Sequence, residues 1–236
     1  MPLQQLRPDP LNIFRYAMYF DGVDDYVAVP DGIIPYDSMN WTVMAWVAPV
    51  FTGSVIYYQG ASEGEMTLNA YWLGTKLSNG SWYNTPSYNG PTVTFTHVAG
   101  VRYNGTSLLL YVNGNQVESA STPAYNLFEA PGYHSSIGSY NRGAGQFFTG
   151  YIYNVLIYNF ALSQSQIQYN MANPDNPIRE GLLLWLKADP AYISGNTWYD
   201  LSGNNNNGTI YGATLTQLTP SDARPLQAVR TLSPVR

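Results

Sequence analysis

Short runs of β-branched, aromatic and aliphatic residues recur along the chain and are separated by Gly, Pro and Asn. The run at 41–47 is apolar on both of its faces, which predicts a strand in the interior of a sandwich. Further strands are predicted at 17–20, 26–29, 55–59, 66–73, 135–139, 147–158 and 182–187.

The strongest local signal lies between residues 92 and 120. It contains three strand patterns, at 94–103, 107–112 and 116–119. Asn104-Gly105 and Asn113-Gly114 separate them, and Asn-Gly favours the type I′ turn because that turn needs positive φ at both central residues. The pattern predicts a three-stranded meander.

One short helix is predicted near the end of this strand-rich region. Ser163 can cap it, residues 165–169 can form it, and Asn173-Pro174 ends it. Many short strands with almost no helix indicate an all-β sandwich.

Composition excludes several classes of protein. Only 11% of the 236 residues are charged, against about 25% in average proteins, while 45% are hydrophobic and 21 residues are Tyr. The chain can therefore bury a core, and its surface must consist largely of Tyr, Asn, Ser, Thr and Gly. A net charge of -5 without a basic cluster argues against a nucleic-acid partner.

Cysteine and histidine usage narrows the chemistry further. The chain has no Cys, which excludes disulfides, zinc-thiolate sites and Cys nucleophiles. Its two His, His97 and His134, are far apart in sequence and form no helical metal-binding pair. No apolar run approaches the length of a membrane span, and no secretory signal pattern is visible.

Prolines divide the chain into a central domain and two terminal arms. We expect an N-terminal arm at 1–16, a sandwich at 17–218 and a C-terminal arm at 219–236. Within the sandwich, 17–170 carries the main motifs, 171–180 is a linker and 181–215 is a further strand segment.

Four separated motifs resemble one known family, in the order that family has them. They are FDGVDDYV at 20–27, WTVMAWV at 41–47, HVAG with LLLYVNG at 97–114, and GYIYNVLIYN followed by ALS at 150–163. Together they resemble the laminin-G-like domains of the concanavalin A-like lectin/glucanase superfamily. The resemblance covers about 17–170 and implies a jelly-roll sandwich of two antiparallel sheets.

The segment 181–215 resembles the usual opening of such a domain but comes last here. It contains GLLLWLKAD, WYDLSGN and GTIYG. Three explanations stand: the segment returns to the opening position of its own sandwich, it completes a neighbouring copy, or the chain is cut from a tandem array. We favour the first, because Leu182, Leu184, Trp185 and Leu186 are residues of the type that is buried.

Catalytic chemistry is not expected. The glucanases of this superfamily carry a Glu-x-Asp-x-x-Glu strand, and glycoside hydrolysis needs a pair of carboxylates. This chain has only five Glu, and Glu63 with Glu65 is predicted to lie in a solvated turn. A nucleophile elbow and a P-loop are absent from the sequence.

The resemblance implies a calcium site at the FDGVDD turn, with Asp21, Asp24 and Asp25 as ligands. The family's closing strand commonly supplies a further Asp, but Tyr153 and Asn154 stand at that place here. The alternative is that the Asp side chains accept hydrogen bonds from backbone N–H groups and shape the turn.

Aromatic side chains beside amides and Arg suggest a sugar-binding surface, because rings stack on the C–H faces of sugars and polar groups pair with hydroxyls. The candidates are Trp72, Trp82, Tyr83, Tyr88, Tyr140, Asn141 and Arg142. Alternatively, the same residues form a neutral surface that packs against other subunits.

Two functions follow from these expectations. The first is a non-catalytic structural or attachment protein of a virion or cell surface, whose partners are copies of itself, other assembly subunits, and host or extracellular glycans. The second is a lectin module of a larger secreted protein. A glycoside hydrolase is the least favoured, and neither nucleic acid nor a membrane span is expected. The expected location is the extracellular surface or the virion.

Overall fold

The computed structural model describes residues 14–49, 55–60, 65–88, 95–129 and 131–219. Most of both predicted arms, and Glu63, lie outside these ranges.

The described chain folds into two antiparallel sheets that pack face to face, which confirms the predicted jelly-roll sandwich. In chain order its strands are β1 (Tyr16–Asp21), β2 (Tyr26–Ala28), β3 (Trp41–Pro49), β4 (Val55–Gln59), β5 (Glu65–Asn69), β6 (Leu73–Lys76), β7 (Trp82–Asn84), β8 (Thr96–Tyr103), β9 (Ser107–Val112), β10 (Asn115–Ser121), β11 (Ser136–Ile137), β12 (Thr149–Tyr158), β13 (Leu182–Lys187), β14 (Ile193–Ser194), β15 (Thr197–Trp198), β16 (Gly208–Tyr211) and β17 (Thr214–Gln217).

The first sheet has the order β10-β9-β8-β3-β12-β1-β17, and β13 also pairs with β12. The second has the order β14-β15-β16-β2-β11-β4-β5-β6-β7. Among the described residues, β6 contacts β9 and β7 contacts β10, so these four strands lie at the same edge of the sandwich.

The predicted meander is confirmed as β8, β9 and β10. Asn104 and Gly105 have φ of 50° and 67°, and Asn113 and Gly114 have φ of 49° and 75°. Both turns therefore use the left-handed backbone that made Asn-Gly a hairpin signal.

Strand β3 is apolar on both faces because both of its faces are covered. Val43, Ala45 and Val47 join the core between the sheets. Met44 points the other way, into a second cluster that includes Ile167. Ile167 belongs to helix α1 (Gln164–Ala172), which lies over the outer face of the first sheet.

Helix α1 begins where the sequence predicts. Ser163 caps it, and Ser163 and Gln166 form a reciprocal capping box. A short 3₁₀ turn, Pro190–Tyr192, follows β13. No helix in the part of the chain that the structure describes is long and apolar enough to cross a membrane.

The prediction of one strand at 66–73 is wrong, because the structure has a hairpin there. Asn69 Oδ1 accepts a hydrogen bond from the Tyr71 N–H at 2.8 Å, and the Asn69 N–H donates to the Trp72 carbonyl oxygen at 3.1 Å. An Asn side chain that bonds two residues ahead favours a turn over a continued strand. The turn brings Trp72 to the end of the hairpin.

The segment 181–215 pairs with strands of its own chain in both sheets. β1 pairs with the first half of β12, and β13 pairs with the second half, where Val155 faces Leu186. β16 pairs with β2, and β17 pairs with β1. Leu184, Leu186 and Trp198 are fully buried there.

Candidate functional site

A cleft of about 450 Å³ opens on the outer face of the second sheet, over β5, β6 and β7. The alternation of β5 defines this face, since Met66 and Leu68 point into the core and Glu65 and Thr67 point outward. The cleft is lined by Glu65, Thr67, Trp72, Lys76, Trp82, Asn84, Phe128, Tyr133, Tyr140 and Gln146.

Strand register builds the floor of the cleft in two rows. Glu65 pairs with Lys76, which pairs with Trp82. Thr67 pairs with Gly74, which pairs with Asn84. Directly opposed residues in antiparallel strands project from the same face, so each row presents its side chains to the cleft.

Gly74 leaves the middle of the second row without a side chain. A Cβ atom at this position would lie 2.4 Å from Asn84 Oδ1 and 2.5 Å from Cζ3 of Trp72. Both contacts are shorter than real Cβ contacts, so the Trp72 ring lies in space that only glycine provides.

An ion pair lies in the first row, with Glu65 buried and Lys76 partly exposed. Glu65 Oε2 is 3.6 Å from Lys76 Nζ, and Glu65 Oε1 accepts a hydrogen bond from the Tyr58 hydroxyl at 3.0 Å. Lys76 Nζ also lies 3.9 Å from the centre of the Phe128 ring. Burial, and next the Glu65 carboxylate, raise the pKa of Tyr58, so its hydroxyl stays protonated and donates to Glu65.

Glu65 corrects the expectation of a solvated turn. It is the first residue of β5 and only 4% exposed. The expectation failed because the residues that cover and pair with Glu65 come from β4, β6 and the loop around Tyr140.

The loop after β11 forms the opposite wall of the cleft. The Tyr140 ring lies 4.5 Å from the Tyr58 ring, and the Tyr133 ring lies 5.9 Å from Tyr140. Asn141, Arg142 and Gln146 have φ of 45°, 49° and 49°. Left-handed backbone at non-glycine residues costs about 1 kcal/mol each, so contacts elsewhere must hold this loop in shape.

The Arg142 side chain supplies three of those contacts. Its Nη2 donates to the Val29 carbonyl oxygen at 2.8 Å, and its Nε donates to the Ser135 carbonyl oxygen at 3.3 Å. Nη2 also lies 3.4 Å from Asp31 Oδ1. The guanidinium therefore faces the body of the sandwich.

Asp31 joins the same network from the loop after β2. It accepts a hydrogen bond from the Ser135 N–H at 2.7 Å, and its Oδ2 lies 2.9 Å from His134 Nδ1. Burial raises the pKa of Asp31, but the Ser135 N–H, His134 and Arg142 outweigh that effect and hold the pKa below its ordinary value. We call Asp31, His134 and Arg142 the loop clamp.

The structure distributes the predicted sugar-binding residues over three environments. Trp72, Trp82 and Tyr140 line the cleft. Tyr83 and Tyr88 pack against the core instead, and the Tyr83 hydroxyl accepts a hydrogen bond from Asn79 Nδ2.

Arg142 belongs to the loop clamp, and the predicted sugar contact Asn141 also supports the loop. Asn141 Oδ1 accepts a hydrogen bond from the His134 N–H at 2.7 Å.

Sequence reasoning missed Glu65, Lys76, Phe128 and Tyr133 as residues of the cleft. The sequence signal that could have identified this face is the alternation along β5, in which Glu65 and Thr67 point outward.

The three candidate calcium ligands lie together. Carboxylate oxygens of Asp21, Asp24 and Asp25 all lie within 4.8 Å of one another. Asp21 Oδ1 accepts from the Val23 N–H and Asp25 Oδ2 accepts from the Asp21 N–H, both at 2.7 Å. Burial, and then the charges of Asp21 and Asp24, raise the pKa of Asp25 against the lowering effect of the Asp21 N–H.

This donor set fits calcium, which prefers carboxylate oxygens. Tyr153 and Asn154, which stand where the family commonly has a further Asp, form hydrogen bonds with other residues. The Tyr153 hydroxyl donates to Asp175 Oδ1 at 2.6 Å, and Asn154 Oδ1 accepts from the Trp46 N–H at 3.0 Å.

Comparison with known families and structures agrees with the architecture. The family model described as the concanavalin A-like lectin/glucanases superfamily matches residues 21–168. No curated protein sequence matches the chain.

Similar solved structures come from several sources. A Bacteroides ovatus protein assigned as carbohydrate-binding has a TM-score of 0.64 at 20% identity, over 86% of this chain and 60% of its own. Domain 4 of an extracellular arabinanase from Geobacillus stearothermophilus, solved with arabinotriose, has a TM-score of 0.52 at 24% identity, over 66% of this chain and 76% of its own. A heptameric pentraxin from Limulus polyphemus has a TM-score of 0.54 at 15% identity, over 86% and 95%.

The similarity to these solved structures concerns the fold, which is the jelly-roll sandwich described above. The chain spans 60% of the length of the Bacteroides ovatus protein.

Proposed function

Because the chain belongs to the concanavalin A-like lectin/glucanases superfamily, we propose that it is a non-catalytic carbohydrate-binding protein that holds neutral sugars in the cleft over β5, β6 and β7. The observation that carries this proposal is the composition of the cleft. Five aromatic rings stand around a floor of hydroxyl, amide and paired charged groups. Sugars offer the complementary surface, with apolar C–H faces and hydroxyl edges.

Each side of the cleft has a separate role in binding. The Trp82 side chain is 42% exposed and offers a ring on which a sugar can stack. Thr67, Asn84 and Gln146 supply groups that donate and accept hydrogen bonds with sugar hydroxyls.

The charge of the cleft favours neutral sugars over acidic ones. Lys76 is the one cation among the described residues that line it, and Lys76 already pairs with Glu65 and contacts the Phe128 ring. An acidic sugar would have to compete with Glu65 for this ammonium group, and the Glu65 carboxylate would repel it.

The same residues argue against hydrolysis. Glycosidases use two carboxylates, one on each side of the scissile bond. Among the described residues that line the cleft, Glu65 carries the single carboxylate, and its two oxygens are engaged by Lys76 and Tyr58. We therefore propose binding without turnover.

The wider role that we propose is a surface-exposed structural or attachment protein of a virion or cell surface, and the alternative is a lectin module of a larger secreted protein. Low charge and 21 Tyr support both, because a neutral aromatic surface suits subunit contacts and sugars alike. Solution mass separates them: a large oligomer that persists on dilution supports assembly, and a monomer supports the module.

Binding is tested on a glycan array that carries neutral, sialylated and uronic-acid-containing glycans. We expect the wild-type chain to retain neutral glycans, and Trp82→Ala to lose them. Tyr169→Ala is the matched control, because Tyr169 is an equally exposed ring on α1, 45% against 42%, and lies away from the cleft. Equal retention by Trp82→Ala and wild type would exclude this cleft as the sugar site.

A further inference from the structure

A second hollow of about 340 Å³ lies next to the cleft. It is lined by Tyr36, Ser78, Asn126, Leu127, Phe128 and Glu129. Phe128 lines both spaces, so the two hollows meet at this residue.

Backbone hydrogen bonds hold this second hollow in place. The Phe128 N–H donates to the Lys76 carbonyl oxygen, and the Leu127 N–H donates to the Tyr36 carbonyl oxygen, both at 2.8 Å. The Ser78 N–H donates to the Asn126 carbonyl oxygen at 2.9 Å. The segment that carries Phe128 is thus pinned on both sides, and a ligand would meet a preformed surface.

The second hollow repeats the chemistry of the first. Tyr36 is 40% exposed and presents a ring, while Ser78, Asn126 and Glu129 present a hydroxyl, an amide and a carboxylate. None of the described residues lining this hollow carries a positive charge. Like the cleft, it suits a neutral polyhydroxylated ligand and disfavours an acidic one.

We propose that the cleft and the second hollow form one continuous groove, with Phe128 between them, that binds a neutral oligosaccharide of several sugar units. The inference rests on the proposed function and extends it: the cleft holds one part of the chain, and Tyr36 stacks on a sugar further along it. Affinity then grows with oligosaccharide length until both hollows are filled.

The experiment is calorimetric titration with neutral gluco-, xylo-, manno-, galacto- and arabino-oligosaccharides of one to six units. We expect the affinity of wild-type protein for the series that binds to rise with length. Tyr36→Ala should lower the affinity for the longest members by roughly five-fold, the factor that about 1 kcal/mol of ring stacking gives, and leave the shortest binding members unchanged. Tyr36→Phe keeps the ring and should bind like wild type, and Tyr169→Ala is the control for surface ring loss.

The outcomes separate the two proposals. Wild-type affinity that stops rising once the cleft is filled, or a Tyr36→Ala variant equal to wild type at every length, overturns the groove and leaves the cleft as the sugar site. An equal loss at every length means that Tyr36→Ala distorts the cleft, and it too overturns the groove. If wild type binds none of these oligosaccharides, both the groove and the proposed neutral-sugar function are wrong.

Discussion

Arg142 Nη2 donates a hydrogen bond to the Val29 carbonyl oxygen at 2.8 Å. The Arg142 guanidinium thereby fixes the wall of the cleft without facing into the cleft. Arg142→Ala should loosen the loop that carries Tyr140, because this loop with its left-handed backbone loses three contacts to Val29, Ser135 and Asp31. We expect sugar affinity to fall by about five- to ten-fold and stability by about 1–2 kcal/mol.

The readouts are calorimetric titration and urea unfolding. Arg142→Lys should recover part of the stability but little of the affinity, because an ammonium group cannot reproduce the donors directed at Val29 and Ser135. Loss of affinity in Arg142→Ala with unchanged stability would indicate a direct sugar contact instead of a positioning role.

Gly74→Ala tests the floor of the cleft. A methyl group at this position meets Asn84 Oδ1 and the Trp72 ring, so both must shift. We expect sugar affinity to fall by about ten-fold, while the sheet persists because the added group points to the outer face. Calorimetric titration checks this. Wild-type affinity in Gly74→Ala would mean that the ligand does not use this part of the floor.

His97 predicts how stability depends on pH. It is 1% exposed against the Trp46 ring, and burial lowers its pKa from 6.5 to about 3. Below pH 6.5 the His97 ring therefore binds a proton in the unfolded chain but stays neutral in the folded chain. The stability of the fold falls as the pH decreases from 6.5 towards 3. This single group contributes a slope of roughly 1 kcal/mol per pH unit.

Urea unfolding at a series of pH values measures that slope. His97→Phe retains an aromatic ring without the titrating group, and its stability should depend less on pH between 3 and 6.5 than that of wild type. Parallel curves for the two proteins would show that another group governs acid stability.

Calcium should stabilise the turn formed by Asp21, Asp24 and Asp25. Burial, and then the charges of Asp21 and Asp24, raise the pKa of Asp25, and a bound cation would offset the repulsion among the three carboxylates. A ligand that binds only the folded state raises the melting temperature. We expect millimolar calcium to raise the melting temperature and chelator to lower it. Asp25→Asn should remove the response, whereas Asp37→Asn, at an exposed Asp elsewhere, should keep it.

Identical melting of wild type in calcium and in chelator would leave these carboxylates the role of acceptors that shape the turn. The bonds from Val23 and Asp21 to this cluster already show how they do so.

A chain that stops at residue 180 should not form a stable monomer. It would lack β13 to β17, and it would expose the second half of β12 together with the core that Leu184 and Leu186 cover. We expect aggregation or loss of the cooperative transition, measured by size-exclusion chromatography and circular dichroism. A chain that stops at residue 219 is the matched control. A soluble, cooperative monomer ending at 180 would mean that the segment is dispensable.

The sequence predicted the parts of this fold that depend on nearby residues. The hairpins at Asn104-Gly105 and Asn113-Gly114 and the cap at Ser163 are set by a few neighbouring side chains. The apolar residues on both faces of β3 also predicted burial on both faces.

The cleft depends on register and on loops that are distant in sequence. Nothing in a three-residue strand shows that Trp82 faces outward and Tyr83 inward, because alternation alone allows either. Glu65 looked solvated because Tyr58, Lys76 and Tyr140, which enclose it, come from other segments. Phe128 reaches the cleft from a connection with no strand pattern of its own.

The two ends of the described sandwich meet, since the Leu218 N–H donates to the Arg15 carbonyl oxygen at 3.0 Å beside the β1–β17 pair. Strands β6 and β7 lie at the other edge, against β9 and β10. A body tethered through Phe14 or Thr219 would therefore join the described sandwich at the edge opposite to β6 and β7, the strands that carry part of the floor of the cleft.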